Sequence, residues 1–329
     1  MLNTRELGRT GLKVSEIGYG CMGLSGSYGS ADEAESIATL QRARDLGVSF
    51  FDTAEVYGPF HNEELIGRAF KGRWDGVVMA TKFGWNVVDG RNTGVPNSRP
   101  ERIRQVAEDC LRRLGCPRID LFYQHRVDPT VPMEDVAGTV RDLIKEGKVA
   151  HFGLSEAGPA SIRKAHAVQP VAALQSEYSL FERGLETAII PTLRELGIGL
   201  VPFSPLGRGF LTGKAPRPED MPRGDNRSHQ PRLTGDNYDV NLAKTQVVHA
   251  LAAEKAAEPG QIALAWLLHK GPDIVSIPGT RRIANLEQNV AAAKVALTPD
   301  DIRRLEDALP VGAAQGDRYT AAMLKLVER

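Results

Sequence analysis

The chain has 329 residues, with 41 Lys plus Arg against 41 Asp plus Glu, so its formal net charge is zero. With 42% hydrophobic and 25% charged residues it reads as a globular protein with ample core and without the basic footprint of a nucleic-acid binder. No apolar run approaches the ~20 residues of a membrane span, the first nine residues lack an apolar signal core, and Cys21, Cys110 and Cys116 have no metal or redox spacing, which together point to free thiols in a reducing, cytoplasmic setting.

Residues 3–15 predict a hairpin, with Arg5-Glu6-Leu7 and Leu12-Lys13-Val14 flanking a turn at Gly8–Gly11. Short apolar runs then alternate with helical patterns. The strand candidates are Ile17–Gly20, Ser49–Asp52, Val77–Lys82, Ile119–Gln124, Val149–Gly153, Val171–Gln175, Ile198–Phe203 and Ile274–Ile277. Ser30-Ala31-Asp32-Glu33 predicts a capping box at the first helix. Ile103, Val106, Ala107, Cys110, Leu111 and Leu114 form one apolar stripe, and Met133, Val136, Ala137, Val140, Leu143 and Ile144 form another. A single stripe means that each helix packs one face on a sheet.

Strands separated by helices pair in parallel, because parallel neighbours need a crossover. Eight such units predict a closed (β/α)8 TIM barrel in one α/β domain spanning residues 1–329, with an N-terminal β-hairpin. The one long irregular stretch, 214–238, follows the seventh strand, where a barrel keeps its functional loops; it reads as a lid or substrate loop, or as a disordered surface insert. The tail from Pro310 packs over the same face or frays.

Gly18-Tyr19-Gly20-Cys21-Met22-Gly23 fits the G-x-G-x-x-G pattern. No helix opens at its last glycine, and Asp52 lies beyond the ~20-residue spacing of a Rossmann site, so the match is set aside. Leu206–Lys214 resembles a phosphate loop but lacks the first glycine and has Ala215 where Ser or Thr is required.

In a barrel the C-terminal strand ends build the site. Here they carry Asp52, then Tyr57; Lys82; Gln124-His125; Ser155-Glu156; and Gln175. A phenol is too weak an acid near neutrality to work unaided. An adjacent ammonium lowers its pKa, a carboxylate holds the ammonium, and an imidazole polarises a carbonyl. Tyr57 is then the acid, Lys82 its tuner, Asp52 the anchor and His125 the polariser. Singly, each has a plainer explanation, such as a solvated lysine or a packing tyrosine; four matching types on three consecutive connections are hard to reach by coincidence.

Asp52-Thr53-Ala54-x-x-Tyr57-Gly58, Lys82 and His125 resemble the catalytic tetrad of the aldo-keto reductases, and the resemblance runs from Arg5 to about Asn289. Cys21–Gly26, Gly153–Glu156 and Gln175–Leu180 are similar to the branch that includes plant perakine reductase. The resemblance implies NADPH (NADP+) bound across the barrel mouth without a Rossmann fold, and reduction of a small-molecule aldehyde or ketone. It implies Ser155 and Gln175 at the nicotinamide amide, near Gly20, Met22 and Asp52, with Phe203 stacking where Tyr is common. Ser204, Pro205, Leu206, Gly207 and Arg208 would follow the pyrophosphate, and Gln288 and Asn289 the adenine. Gly279 and Thr280 stand near the 2′-phosphate; many relatives have Lys in place of Gly279, and Arg281, with Arg282, could supply that charge. The family often has Asn where this chain, like the branch it resembles, has Glu156. Tyr28, Trp85, Arg126 and Phe181 are candidate walls of the substrate pocket.

No metal is expected, and the sequence leaves a homo-oligomer open. Two alternatives share the fold: an NADPH-binding regulatory subunit resembling the β subunits of potassium channels, and a barrel enzyme using Lys82 as a Schiff base.

Overall fold

The computed structural model describes residues 2–328. Strands β1 (Thr4–Leu7) and β2 (Leu12–Ser15) form the antiparallel hairpin that the sequence predicts. The parallel strands are β3 (Tyr19–Gly20), β4 (Phe50–Asp52), β5 (Val78–Phe83), β8 (Ile119–Gln124), β9 (Val149–Ser155), β10 (Val171–Glu177) and β11 (Gly199–Phe203). Their order is β11-β10-β9-β8-β5-β4-β3. Residues 274–277 close the barrel through parallel bridges Ile17↔Ser276 and Leu200↔Ile274 rather than as a continuous strand. The Gly18 N–H donates to Ser276 O at 2.8 Å on one side, and Val275 N–H to Leu200 O at 3.0 Å on the other.

Alternation along the strands separates two cores. Phe50, Ala80, Leu121, Tyr123, Ala173 and Val201 fill the barrel interior, joined by Leu7, Leu12 and Val14 of the hairpin, which plugs the bottom. Phe51, Phe122, Phe152 and Leu174 face outward into the helix layer. That layer includes the helices Pro100–Leu114 and Met133–Lys145, whose buried faces carry the predicted stripes; Leu111 and Ile144 are only partly buried. Gly8 seats the plug: its φ is +69°, and a Cβ there would lie 2.6 Å from Gly197 O.

The first helix, Glu33–Asp45, is capped by Asp32, whose carboxylate accepts from Glu35 N–H at 2.8 Å. The predicted box at Ser30 therefore lies two residues early. A second hairpin that the sequence reading did not anticipate, β6 (Trp85–Val88) with β7 (Arg91–Pro96), rises from the end of β5. The stretch 214–238 is ordered into short turns at Pro218–Asp220, Asn226–His229 and Pro231–Leu233 before the helix Asp236–Lys244. No helix among the described residues is long and apolar enough to cross a membrane.

Candidate active site

The alternation that packs the barrel interior also selects the site. Two residues beyond Phe50, Ala80, Tyr123, Gly153, Ala173 and Val201 come Asp52, Lys82, His125, Ser155, Gln175 and Phe203. The register places these ends around one rim: Gly20 lies beside Asp52, and Gln175 beside Ser155.

Lys82 is fully buried. Its Nζ donates to Asp52 Oδ1 at 2.5 Å, Thr53 O at 2.7 Å and Tyr57 Oη at 3.2 Å. An ammonium has three N–H donors, and all are spent. Burial opposes the charge, but Asp52 and Tyr57 more than offset it and raise the Lys82 pKa. Burial pushes Tyr57 above the ordinary phenol range, and the Lys82 charge offsets this only in part. Lys82 lowers the phenol pKa as expected, but desolvation outweighs the ammonium, so the net shift is upward and Tyr57 is a neutral phenol.

The loop carrying Tyr57 is held from behind by Arg102, which donates to Glu55 Oε1 at 3.0 Å and Oε2 at 2.9 Å. His125 packs edge-on to Tyr57, ring centroids 5.9 Å apart, and to Trp85 at 6.0 Å. Burial, then Lys82 and Arg126, hold its pKa well below the usual imidazole range, so it is neutral. Its Nδ1 is buried without a partner.

A cavity of about 1150 Å³ opens over this rim, at or beyond the upper end of small-ligand sites. Asp52, Tyr57 and His125 line it, as do Gly20, Met22, Ser155, Gln175 and Phe203. It continues past Ser204, Pro205, Leu206 and Arg208 to Gly279, Thr280, Arg281, Gln288 and Asn289. Tyr28 and Arg126 also line it. Lys82 lies beneath it, and Gly207 is not on its wall. Trp85 backs His125 instead, and Phe181 packs against Phe210 at 6.1 Å between ring centroids.

The sequence pattern of the aldo/keto reductase family matches residues 16–310. The chain belongs to the aldo/keto reductase family. A probable aldo-keto reductase of Glycine max is 44% identical over 320 residues, covering 95% of this chain and 91% of that protein. The solved glycerol dehydrogenase of Gluconobacter oxydans is 29% identical, with a TM-score of 0.84 over 93% of this chain and 94% of its own. The holo form of an aldo-keto reductase from Bacillus halodurans shares the fold, with 24% identity and a TM-score of 0.79 over 98% of this chain and 99% of its own. Family members carry out NAD(P)H-dependent carbonyl reduction.

The lining residues fit a dinucleotide cofactor. Gln175 Nε2 donates to Asp52 Oδ2 at 2.7 Å, which leaves Gln175 Oε1 without a hydrogen bond among the described residues and able to accept from an amide. Phe203 offers an aromatic face. At the far end Arg281 donates to the carbonyls of Tyr28 at 3.1 Å and Gly29 at 3.2 Å, and also to that of Ser30. Carbonyls fix the guanidinium without neutralising it, and exposed Arg282 lines the same end. Gly279 is set by close packing: a Cβ there would lie 2.7 Å from Gly20 O. The close approach of the Gly20 backbone leaves no room for a side chain there.

Several wall residues escaped the sequence reading. Asn92 comes from the second hairpin, Asn226, Arg227 and His229 from the long loop, and Tyr319, Thr320 and Met323 from the tail. The sequence marks the loop and the tail as regions, but no local signal marks these side chains. The loop is tied down by Asn226 N–H donating to Ser27 O at 3.2 Å and by the Arg227 guanidinium 5.1 Å from the Tyr28 ring centroid. In the tail, the Tyr319 ring sits between the guanidiniums of Arg208 at 5.3 Å and Arg318 at 5.1 Å.

Proposed function

We propose that this chain, acting as one barrel unit in the cytoplasm, reduces an aldehyde or ketone to the alcohol with NADPH, and that Tyr57 gives the proton. The observation that carries this reading is the full use of the Lys82 donors. Because Lys82 donates to Tyr57 Oη, the phenol oxygen acts as acceptor there, and its own O–H is left to donate into the cavity.

Asp52 holds Lys82 in place, and Gln175 holds Asp52. As the proton leaves Tyr57, negative charge grows beside an ammonium that is already oriented, so little reorganisation is needed. Neutral His125 has no acceptor at Nδ1, which favours the tautomer protonated at Nε2. That N–H can then orient and polarise a carbonyl oxygen. When bound, the reduced nicotinamide supplies the hydride. Ser155 and Gln175 would hold its amide, Phe203 its ring face, Ser204–Arg208 its pyrophosphate and Gln288 and Asn289 its adenine. Arg281 and Arg282 support a 2′-phosphate, since a guanidinium suits phosphate and neither has a carboxylate partner among the described residues.

The test is loss of reduced-nicotinamide absorbance with an activated aromatic aldehyde, comparing NADPH with NADH and wild type with Tyr57→Phe. NADPH-linked turnover that collapses in the variant is expected. Tight NADPH binding with no turnover on any aldehyde would overturn the reading in favour of a regulatory subunit.

A further inference from the structure

Charge pairing at the barrel mouth is uneven. Each of three carboxylates there already holds a cation. Asp52 pairs with Lys82 at 2.5 Å, Glu177 with Arg208 at 3.1 Å, and Glu156 with Arg318. Arg126 remains, 6% exposed and with no carboxylate in salt-bridge reach among the described residues.

Its hydrogen bonds all leave from one nitrogen. Nη1 donates to His125 O at 2.6 Å and to Ser155 Oγ at 3.3 Å. Nε–H is buried with no acceptor, and Nη2 makes no hydrogen bond among the described residues. The two Nη1 bonds aim the group without cancelling its charge. A buried cation with idle donors is expensive unless an anion completes it. Arg126 lines the cavity together with Tyr57, His125 and Tyr319, so a ligand presented to the tetrad meets it directly. Glu156 does not serve as the missing partner, since its carboxylate is occupied by Arg318 and by the Glu177 N–H at 2.9 Å.

We infer that Arg126 seats an oxoanion on the substrate, a carboxylate or a phosphate, so that this site selects anionic carbonyl compounds over their neutral counterparts. The inference rests on the reductase reading. Idle guanidinium donors match an oxoanion in charge and hydrogen-bonding capacity.

The experiment measures NADPH-dependent kcat/KM for 4-formylbenzoate, its methyl ester and 4-formylphenyl phosphate with wild type, Arg126→Met and Arg126→Lys. Wild type should prefer at least one anion over the ester by about ten- to a hundredfold, the range of a charge-assisted hydrogen bond. The two anionic arms tell carboxylate from phosphate. Arg126→Met should bring the ratio close to one, and Arg126→Lys should keep part of it, since charge survives but the planar fork is lost. NADPH affinity is measured in parallel by fluorescence titration. A wild-type ratio near one overturns the inference even if neither variant folds. So does a loss in Arg126→Met that falls equally on ester and anion and follows weakened NADPH binding, because Arg126 would then serve the cofactor. Turnover of the ester alone sustains the reductase reading while removing the inference; reduction of none of the three removes the inference, and removes the reductase reading too only if the activated aldehyde of the reductase test is also not turned over.

Discussion

The carboxylate of Glu156, at the end of β9, is gripped by the guanidinium of Arg318, 162 residues further along the chain. Glu156 takes up a left-handed backbone conformation, φ 57°, uncommon for a side chain of its size. The position just after Ser155 is thus spent on the chain's own tail. A second hold lies beyond: Glu328 accepts from Gly158 N–H at 2.9 Å and Ser161 Oγ at 3.0 Å, at the start of the helix Pro159–Val168.

Arg318→Ala should therefore release the tail wall. Removing one partner of a buried ion pair typically costs about 3–5 kcal/mol, here shared between loss of stability and local unfastening. Limited proteolysis should cut the variant within 310–328, and KM should rise more than kcat falls. An uncut tail with unchanged KM would show that the clasp is dispensable.

The same pair gives a pH dependence. Burial alone pushes Glu156 up, but Arg318, Arg126 and the Glu177 N–H outweigh it and hold the carboxyl below its ordinary range. An unfolded Glu ionises near ~4.3, so the clasp contributes fully above that pH and is lost as pH falls through the lower folded-state value. The stability gap between wild type and Glu156→Gln should thus be constant near neutrality and shrink in acid. A gap that widens in acid would contradict the assignment.

His125 should leave no mark on the pH–rate profile. Its pKa lies well below the imidazole range through burial, Lys82 and Arg126, so it stays neutral through the physiological window. Burial holds Tyr57 above the phenol range, so the acid form of that group persists into alkali. The kcat/KM for aldehyde reduction should show no limb near ~6.5, where free imidazole titrates. A limb there that disappears in His125→Gln would refute this.

Gly279→Lys, which would add a charge at the proposed 2′-phosphate end, should fail to improve NADPH use. The new Cβ meets backbone, Gly20 O at 2.7 Å, not a movable side chain. Overpacking of this kind costs about 1–3 kcal/mol, read as a lowered Tm. Tighter NADPH binding at unchanged Tm would show that the strand ends part easily.

Arg281→Ala should weaken NADPH more than NADH and loosen the loop at Tyr28–Ser30, because one side chain holds three of that loop's carbonyls. Equal loss for the two cofactors would assign Arg281 to the loop alone.

The sequence by itself determined the barrel and which side chains reach its rim. Strand alternation has a period of two residues, so the phase that buries Phe50, Ala80 and Tyr123 inside necessarily brings Asp52, Lys82 and His125 to the mouth. Asp52, Lys82 and His125 were legible for that reason; Tyr57, on the turn after β4, was legible only from its residue type beside them, and the helix stripe at Ile103–Leu114 from the 3.6-residue period. The tertiary structure alone decided what surrounds them. Whether the Tyr57 pKa ends above or below the ordinary phenol value depends on how far burial outweighs Lys82, and a chain read residue by residue carries no measure of that. Whether Glu156 faces the cavity or the tail, and whether Arg126 has a counter-charge, depends on partners scores of residues away, whose meeting is set by barrel closure and the return of the tail rather than by local pattern.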